Sequence, residues 1–243
     1  MQGLLGLGAL AMIATDAMVG VRLLFLAWRT RELPEATLGV AFVLLGAIGY
    51  PLATAARREL LPTEAGNTAL MAAGLLAQNV ACLAMYLNTV WTFRAGARSA
   101  RALAGAAAVC LAASYAGQAA TTRFAPHATG LAYYLGLAAR SGAFAWAAYE
   151  GLRCYARARR RLRIGLADAV VTNRFLLFGL GTAGVFAAFA IFWLGQLTTA
   201  NVGESTWVLA ATSAVGIVSA VATCLAFLPP AAYLRWIGAR AAR

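Results

Sequence analysis

The sequence contains no lysine, and this absence excludes one class of seven-helix membrane protein. A retinal pigment holds its chromophore as a Schiff base on a lysine of the last membrane helix, and no other side chain forms that imine. The sequence also has a single histidine, His127. One histidine cannot supply both axial ligands of a bis-histidine haem or the several ligands of a histidine-rich zinc site.

Cysteine is scarce as well, and its spacing argues against metal or redox chemistry. The four cysteines are scattered and form no CxxC pair, so the sequence indicates neither a redox dithiol nor a thiolate metal site. No GxSxG, P-loop or dinucleotide-binding fingerprint appears where a strand–turn–helix context could exist. We therefore expect no cofactor and no catalytic site.

Long apolar runs dominate what the sequence does contain. Hydrophobic residues make up 62% of the chain and charged residues 12%, whereas charged residues form about a quarter of soluble proteins. Seven runs are long enough to cross a hydrocarbon core of about 30 Å at about 1.5 Å per residue. They are residues 3–27, 36–56, 68–92, 102–121, 128–152, 170–195 and 207–228. Because little loop sequence is left over, we predict a single all-α, seven-helix membrane domain over residues 1–243.

The arginines predict the orientation of this bundle. Fourteen of the twenty lie in the loops after spans one, three and five or in the C-terminal segment, from Arg29 to Arg243. Only Arg57, Arg58 and Arg123 lie on the opposite side. Positive charge stays on the cytoplasmic side, so we predict an outer N-terminus and a cytoplasmic C-terminus in a bacterial inner membrane. The first run has no basic leader, and we expect it to remain as a helix rather than to be a cleaved signal peptide.

The densest group of arginines follows span five. Its members are Arg157, Arg159, Arg160, Arg161 and Arg163. Although the net charge of +12 suggests nucleic acid, these residues lie directly beneath a membrane span. We therefore interpret them as a topology signal that also contacts anionic lipid headgroups, or as a docking surface for a cytoplasmic partner.

Three further features indicate how the spans are arranged. Tyr50–Pro51 near the outer end of span two is expected to kink or end that helix. Span four is rich in Ala, Gly and Ser, which favour close helix approach in lipid, and we expect a crowded position for it. Tyr233 and Trp236 after the last span are predicted interfacial anchors.

Spans one to three also show a weak similarity to spans five to seven. Gly20 and Arg22 align with Gly151 and Arg153, and after a two-residue shift the segment 42–46 aligns with 175–179. This pattern predicts a parallel 3+1+3 repeat with span four as the linker. Some transporters have such repeats, with substrate sites near the midplane between them.

Polar residues inside the spans are the best functional signal, because a charge in the membrane is costly unless it is paired or hydrated. Asp16 in span one and Arg140 in span five lie at similar depth, roughly 18–20 Å from the outer end. Gln78 and Asn79 lie in the middle of span three. The positions predict a polar centre in which Asp16 pairs with Arg140 and the two amides join them.

Aromatic residues flank Arg140 on its own helix. Tyr133 lies two turns before it on the same face and Phe144 lies one turn after it. An arginine in such surroundings can hold a carboxylate or phosphate through its fork of donors. The alternative is a closed network of Asp16, Asn79 and Arg140 that only fixes the helix register.

Two groups of segments resemble known membrane proteins. Residues 20–35 with 49–51, and residues 166–175, resemble uncharacterised bacterial seven-helix membrane proteins. Residues 227–236 are similar to the point where the seven-helix sensor modules of bacterial histidine kinases leave the membrane. The resemblance implies the seven-helix layout and no specific site residues. Since no kinase follows in this sequence, we do not expect direct kinase signalling.

Three functional hypotheses follow from the sequence. The first is a sensor-like or ligand-binding membrane protein whose ligand enters from the outer half and whose basic inner face meets a partner. The second is a small-solute transporter built on the 3+1+3 repeat. The third is a structural or assembly subunit of a membrane complex, whose small-residue spans pack against another membrane protein.

Overall fold

A computed structural model of the chain describes residues 2–198 and 205–241, and the regular elements in those residues are all helices. In chain order they are α1 (Gln2–Thr30), α2 (Leu33–Phe42), α3 (Tyr50–Arg57), α4 (Glu64–Phe93), α5 (Arg98–Thr121), α6 (Leu131–Leu162), α7 (Ala169–Thr198), α8 (Thr206–Phe227) and α9 (Ala231–Ala241). The all-α class is thus confirmed for the described part of the chain. Arg243, one of the predicted cytoplasmic arginines, lies outside the described residues.

Six stretches of helix are long and apolar enough to cross a membrane. They are Gly8–Thr30, Leu33–Arg57, Glu64–Phe93, Arg98–Thr121, Ala169–Thr198 and Thr206–Phe227. Their length and composition indicate a multi-pass membrane protein. The remaining predicted span, 128–152, overlaps α6, which is longer than these six stretches but less apolar. Since α6 packs against α4, α5 and α7, much of its surface meets protein rather than lipid and can carry polar side chains.

The helix α6 also extends ten residues beyond the end predicted for span five. Arginine is a good helix former, so the arginines end the apolar run without ending the helix. Cations near a helix C-terminus are favoured by the helix dipole as well. The exposed arginines Arg157, Arg159, Arg160 and Arg161 therefore lie on the last turns of α6, and Arg163 is its C-cap.

Span two does not end at Pro51, where the sequence predicts a kink or an end of the helix. A π-helical segment, Val43–Gly49, joins α2 to α3 and ends directly before Tyr50 and Pro51. Proline has no N–H to donate to the preceding turn, and its ring crowds the carbonyl there. A wider π turn relieves this conflict, so the chain stays helical to Arg57.

The long helices form a closed ring with one helix outside it. In order around the ring, the neighbours are α1, the α2–α3 span, α4, α6, α7 and α8, and α8 returns to α1. The helix α5 packs outside the ring against α4 and α6. The prediction that span four lies in a crowded position is thus wrong. Much of the surface of α5 is uncovered, and its small side chains do not pack against further helices.

Glycines on α1 and α8 allow these two helices to pack closely where the ring closes. A Cβ added at Gly8 would fall on the backbone of Ser213, within 2.7 Å of its carbonyl carbon. On the other helix, a Cβ at Gly216 would lie 3.1 Å from the carbonyl oxygen of Gly8. The two backbones therefore approach as closely as small residues allow in membrane helix pairs.

Candidate functional site

The candidate site is centred on Arg140 in the middle of α6. Its side chain is among the largest that are fully buried, with 2% of the residue exposed. Side chains of a helix lean toward its N-terminus, so the guanidinium lies over the preceding turn, where residue 136 is a glycine. A Cβ at Gly136 would lie 3.2 Å from Nη1 of Arg140. Gly136 thus makes room for the buried guanidinium.

Few groups neutralise or bind this guanidinium. Nη1 of Arg140 donates a hydrogen bond of 2.9 Å to Oδ1 of Asn79 on α4. Nδ2 of Asn79 in turn donates to the carbonyl oxygen of Leu111 on α5, at 3.3 Å. The buried Nε of Arg140 has no hydrogen-bond acceptor among residues 2–198 and 205–241, and no carboxylate there forms an ion pair with it. A buried cation with an unused donor is costly, so this site favours an anion.

A second arginine lies at the same site, near the N-terminal end of α6. Nη2 of Arg57, the last residue of α3, donates to the hydroxyl of Tyr133 at 3.4 Å. The guanidinium carbon of Arg57 lies 5.0 Å from the ring centroid of Phe192 on α7, in cation–π range. Tyr133 and Arg57 are both within electrostatic reach of Arg140. We call Arg57, Asn79, Tyr133 and Arg140 the arginine centre.

Asp16 does not belong to the arginine centre. The predicted ion pair with Arg140 is not formed, because the carboxyl of Asp16 packs against Gly46 of the π-helical segment instead. A Cβ at Gly46 would lie 2.8 Å from Cγ of Asp16. Asp16 faces span two, whereas Arg140 reaches toward α4. Asp16 is buried, with 6% of the residue exposed.

Two other predicted site residues also face elsewhere. Nε2 of Gln78 donates to the carbonyl oxygen of Gly49 at 3.1 Å, which joins α4 to span two. Adjacent residues of a helix point about 100° apart, so Gln78 and Asn79 meet different neighbours. Phe144 is fully buried and packs against Phe189 of α7, with ring centroids 5.9 Å apart. It forms part of the apolar core on the C-terminal side of Arg140.

Helix α5 contributes two polar residues that the sequence analysis does not single out. Oγ of Ser114 donates to the carbonyl oxygen of Ala132 at 2.6 Å, and Nε2 of Gln118 donates to Oγ of Ser114 at 3.1 Å. Both side chains are buried, and Ser114 lies beside Gly136. The signal in the sequence is their four-residue spacing, which places two polar groups on one face of an otherwise small-residue helix.

A separate ionic cluster ties the C-terminal end of α4 to the C-terminal half of α6. The side chain of Glu150 is only 3% exposed, and its Oε1 lies 2.7 Å from Nη2 and 2.8 Å from Nε of Arg94. Nη1 of Arg153 lies 4.0 Å from Oε2 of the same carboxylate. The hydrogen bond to Glu150 raises the pKa of Arg94 above its usual value. The cluster anchors the end of α4 to α6.

Replacing Glu150 with glutamine is expected to lower the thermal unfolding temperature in detergent. The amide keeps the shape of the side chain but cannot neutralise Arg94 and Arg153. Glu59→Gln is the matched control, because its contact with His127 is exposed and is screened by water, so we expect no change there. A Glu150→Gln protein as stable as the wild type would contradict the anchoring role.

No protein-family model, curated protein or solved structure matches this chain. The chemistry of the site itself must therefore carry the functional conclusion.

Proposed function

We propose that this chain is a seven-span, ligand-binding membrane protein with a sensor-like role, and that its arginine centre binds a small organic anion. The single observation that supports this most is the buried Nε of Arg140, which finds no acceptor in the described part of the chain. Carboxylates and phosphates match the planar fork of a guanidinium with two parallel hydrogen bonds. An anion would both accept from Nε and neutralise the buried charge.

The position of Arg57 supports entry from the outer half of the bundle. It ends α3, it is half-buried, and it reaches inward to Tyr133, which shares a face of α6 with Arg140. An anion that meets Arg57 first and Arg140 second encounters positive charge along its path. The aromatic rings of Phe192 and Tyr133 beside Arg57 suit a ligand that also has an apolar part.

The membrane arrangement is part of the same proposal. We count α6 as the seventh span, since its arginine centre faces other helices. The bundle would lie in a bacterial inner membrane with its N-terminus outside, as the distribution of arginines favours. The exposed arginines Arg157, Arg159, Arg160, Arg161 and Arg163 would then meet anionic headgroups or a cytoplasmic partner.

A thermal-stability screen of the purified protein tests the binding function. Small carboxylates and organic phosphates are added at millimolar concentration, with uncharged amides and alcohols of similar size as controls. We expect members of the anionic class alone to raise the unfolding temperature, because binding to the folded state stabilises it. If no anion does so, the arginine centre is a structural network and the proposal is wrong.

One observation favours transport as a second candidate function. The ring can be divided into two triplets, one of α1, the α2–α3 span and α4, and the other of α6, α7 and α8. If each helix of the first triplet is exchanged with the corresponding helix of the second, every pair of neighbours in the ring becomes another pair of neighbours, and α5 remains as the linker. A parallel 3+1+3 repeat requires this symmetry, but any closed ring of six helices in chain order has it too, so the argument for a repeat rests on the glycine contacts. The glycines agree in part: Gly151 packs against Gly179 of α7, whereas Gly20 packs against Val43, one turn before the aligned Gly46.

Flux separates the two candidates. The anion found in the screen is offered in radiolabelled form to proteoliposomes that contain the protein. Saturable uptake would favour the transporter, and binding without uptake would favour the sensor-like protein. Superposing the triplet α1, α2–α3, α4 on α6, α7, α8 tests the repeat independently, and a poor fit would remove the argument from symmetry.

A further inference from the structure

An apolar groove runs along the outside of the helix ring between α4 and α5. Two cavities of about 430 and 300 Å³ form it, and they join end to end because both are lined by Leu83 and Ala108. Leucine and valine side chains of α4, with Asn79 and Trp91, make one wall. Mostly small side chains of α5, with Leu111 and Tyr115, make the other. Gly105 leaves the groove open, since a Cβ there would have no neighbour within 4 Å.

The groove has the length of one membrane leaflet. Its lining residues on α5 run from Arg101 to Ala116, which is about 22 Å of helix. Half of a hydrocarbon core is about 15 Å thick, and the headgroup region adds several ångströms. A single acyl chain could therefore lie in the groove along its whole depth.

Charge marks one end of the groove. Arg101 is the only charged residue among those that line the two cavities, and it lies at the same end as Trp91. Arg98 lies one turn earlier on α5, toward the same side. Tryptophan and arginine at one end of an apolar channel suit the interfacial position of a phospholipid headgroup.

A second copy of this chain would fit the groove less well. Two α5 helices related by a twofold axis along the membrane normal would bring Arg98 and Arg101 of both copies to the same end. No acidic residue lines the groove to offset this repulsion. A phosphate group, in contrast, supplies the missing negative charge.

We propose that the α4–α5 groove binds an anionic phospholipid of the cytoplasmic leaflet. One acyl chain lies between Leu83 and Ala108, and the headgroup phosphate is held at Arg101. The groove meets the arginine centre only at Asn79, which lines its second cavity. A bound lipid explains why α5 keeps small side chains although no further helix of this chain covers them in the described residues.

Native mass spectrometry of the delipidated protein tests this site. Phosphatidylglycerol and phosphatidylcholine with identical chains are titrated separately, and bound lipid is counted. We expect saturable binding of one phosphatidylglycerol and weaker binding of phosphatidylcholine. Arg101→Gln is expected to reduce the preference by roughly 5-fold, the factor that corresponds to one arginine near a phosphate. Arg123→Gln at the other end of α5 is the control.

A variant that fills the groove tests the acyl-chain part. Gly105→Leu has room for its side chain and is expected to fold normally while losing the saturable lipid. Ala106→Leu adds the same side chain on an exposed position outside the groove and should bind as the wild type does. Equal binding of both lipids, unchanged binding by Gly105→Leu, or a change from dimer to monomer in that variant would each overturn the proposal.

Discussion

Replacing Arg140 with methionine is expected to abolish the anion-dependent rise in unfolding temperature while leaving the unliganded protein folded and about as stable as the wild type. Methionine fills most of the same volume without a charge or a donor. Removing one partner of a buried, hydrogen-bonded charge pair costs about 2–5 kcal/mol. We therefore expect anion affinity to fall at least about 30-fold, and Arg140→Ala to lose it as well.

The stability of the unliganded variant distinguishes a binding site from a structural network. The wild-type protein bears the cost of a buried cation whose Nε has no acceptor in the described residues. Replacing a buried ion pair with well-packed apolar residues is often neutral or stabilising by about 1–4 kcal/mol, and removing a buried cation that has no carboxylate partner acts in the same direction. Loss of the bond to Asn79 opposes this by about 1.5–3 kcal/mol, so the two effects nearly cancel.

Two outcomes would contradict this account of Arg140. If Arg140→Met unfolds at a much lower temperature and no anion stabilises the wild type, the arginine holds α4 to α6 and binds nothing. If a binding anion is found and Arg140→Met responds to it unchanged, the ligand lies elsewhere. Arg140→Lys keeps the charge without the planar fork, and we expect it to bind the anion weakly.

The spans could be predicted from the sequence because hydropathy is a local property. The six apolar helices begin and end within a few residues of the predicted runs. The helix α6 ends ten residues later than predicted. The arginines after residue 152 end the apolar run, but they have high helix propensity, so the helix continues through them. The π-helical segment before Pro51 depends on how span two packs, so the proline alone could not indicate it.

The site is harder to predict than the spans. The position of a residue along its span can be estimated from the sequence, but the helix that its side chain faces depends on how the spans pack. Asp16 and Arg140 do lie inside the bundle, as expected, but they point to different helices. Asn79 is correctly placed beside Arg140, and Gln78 is not. Arg57 was counted as an outer arginine, and only the fold shows that it turns inward to Tyr133.

The second large effect is expected at Gly8, where α1 meets α8. A Cβ at this position would fall on the backbone of Ser213, and a backbone cannot move aside as a flexible side chain can. Gly8→Ala should therefore already destabilise the protein, and Gly8→Leu should force the two helices apart and open the ring.

We expect Gly8→Leu to cost roughly 3 kcal/mol or more, a large part of the 5–15 kcal/mol by which proteins are usually stable. Thermal unfolding monitored by size-exclusion chromatography would measure the loss. Gly105→Leu is the matched control, because the same substitution there meets open space and should change stability by no more than about 0.5 kcal/mol. Equal stability of the two variants would mean that α1 and α8 do not close the ring, and the helix order that a parallel repeat requires would lose its support.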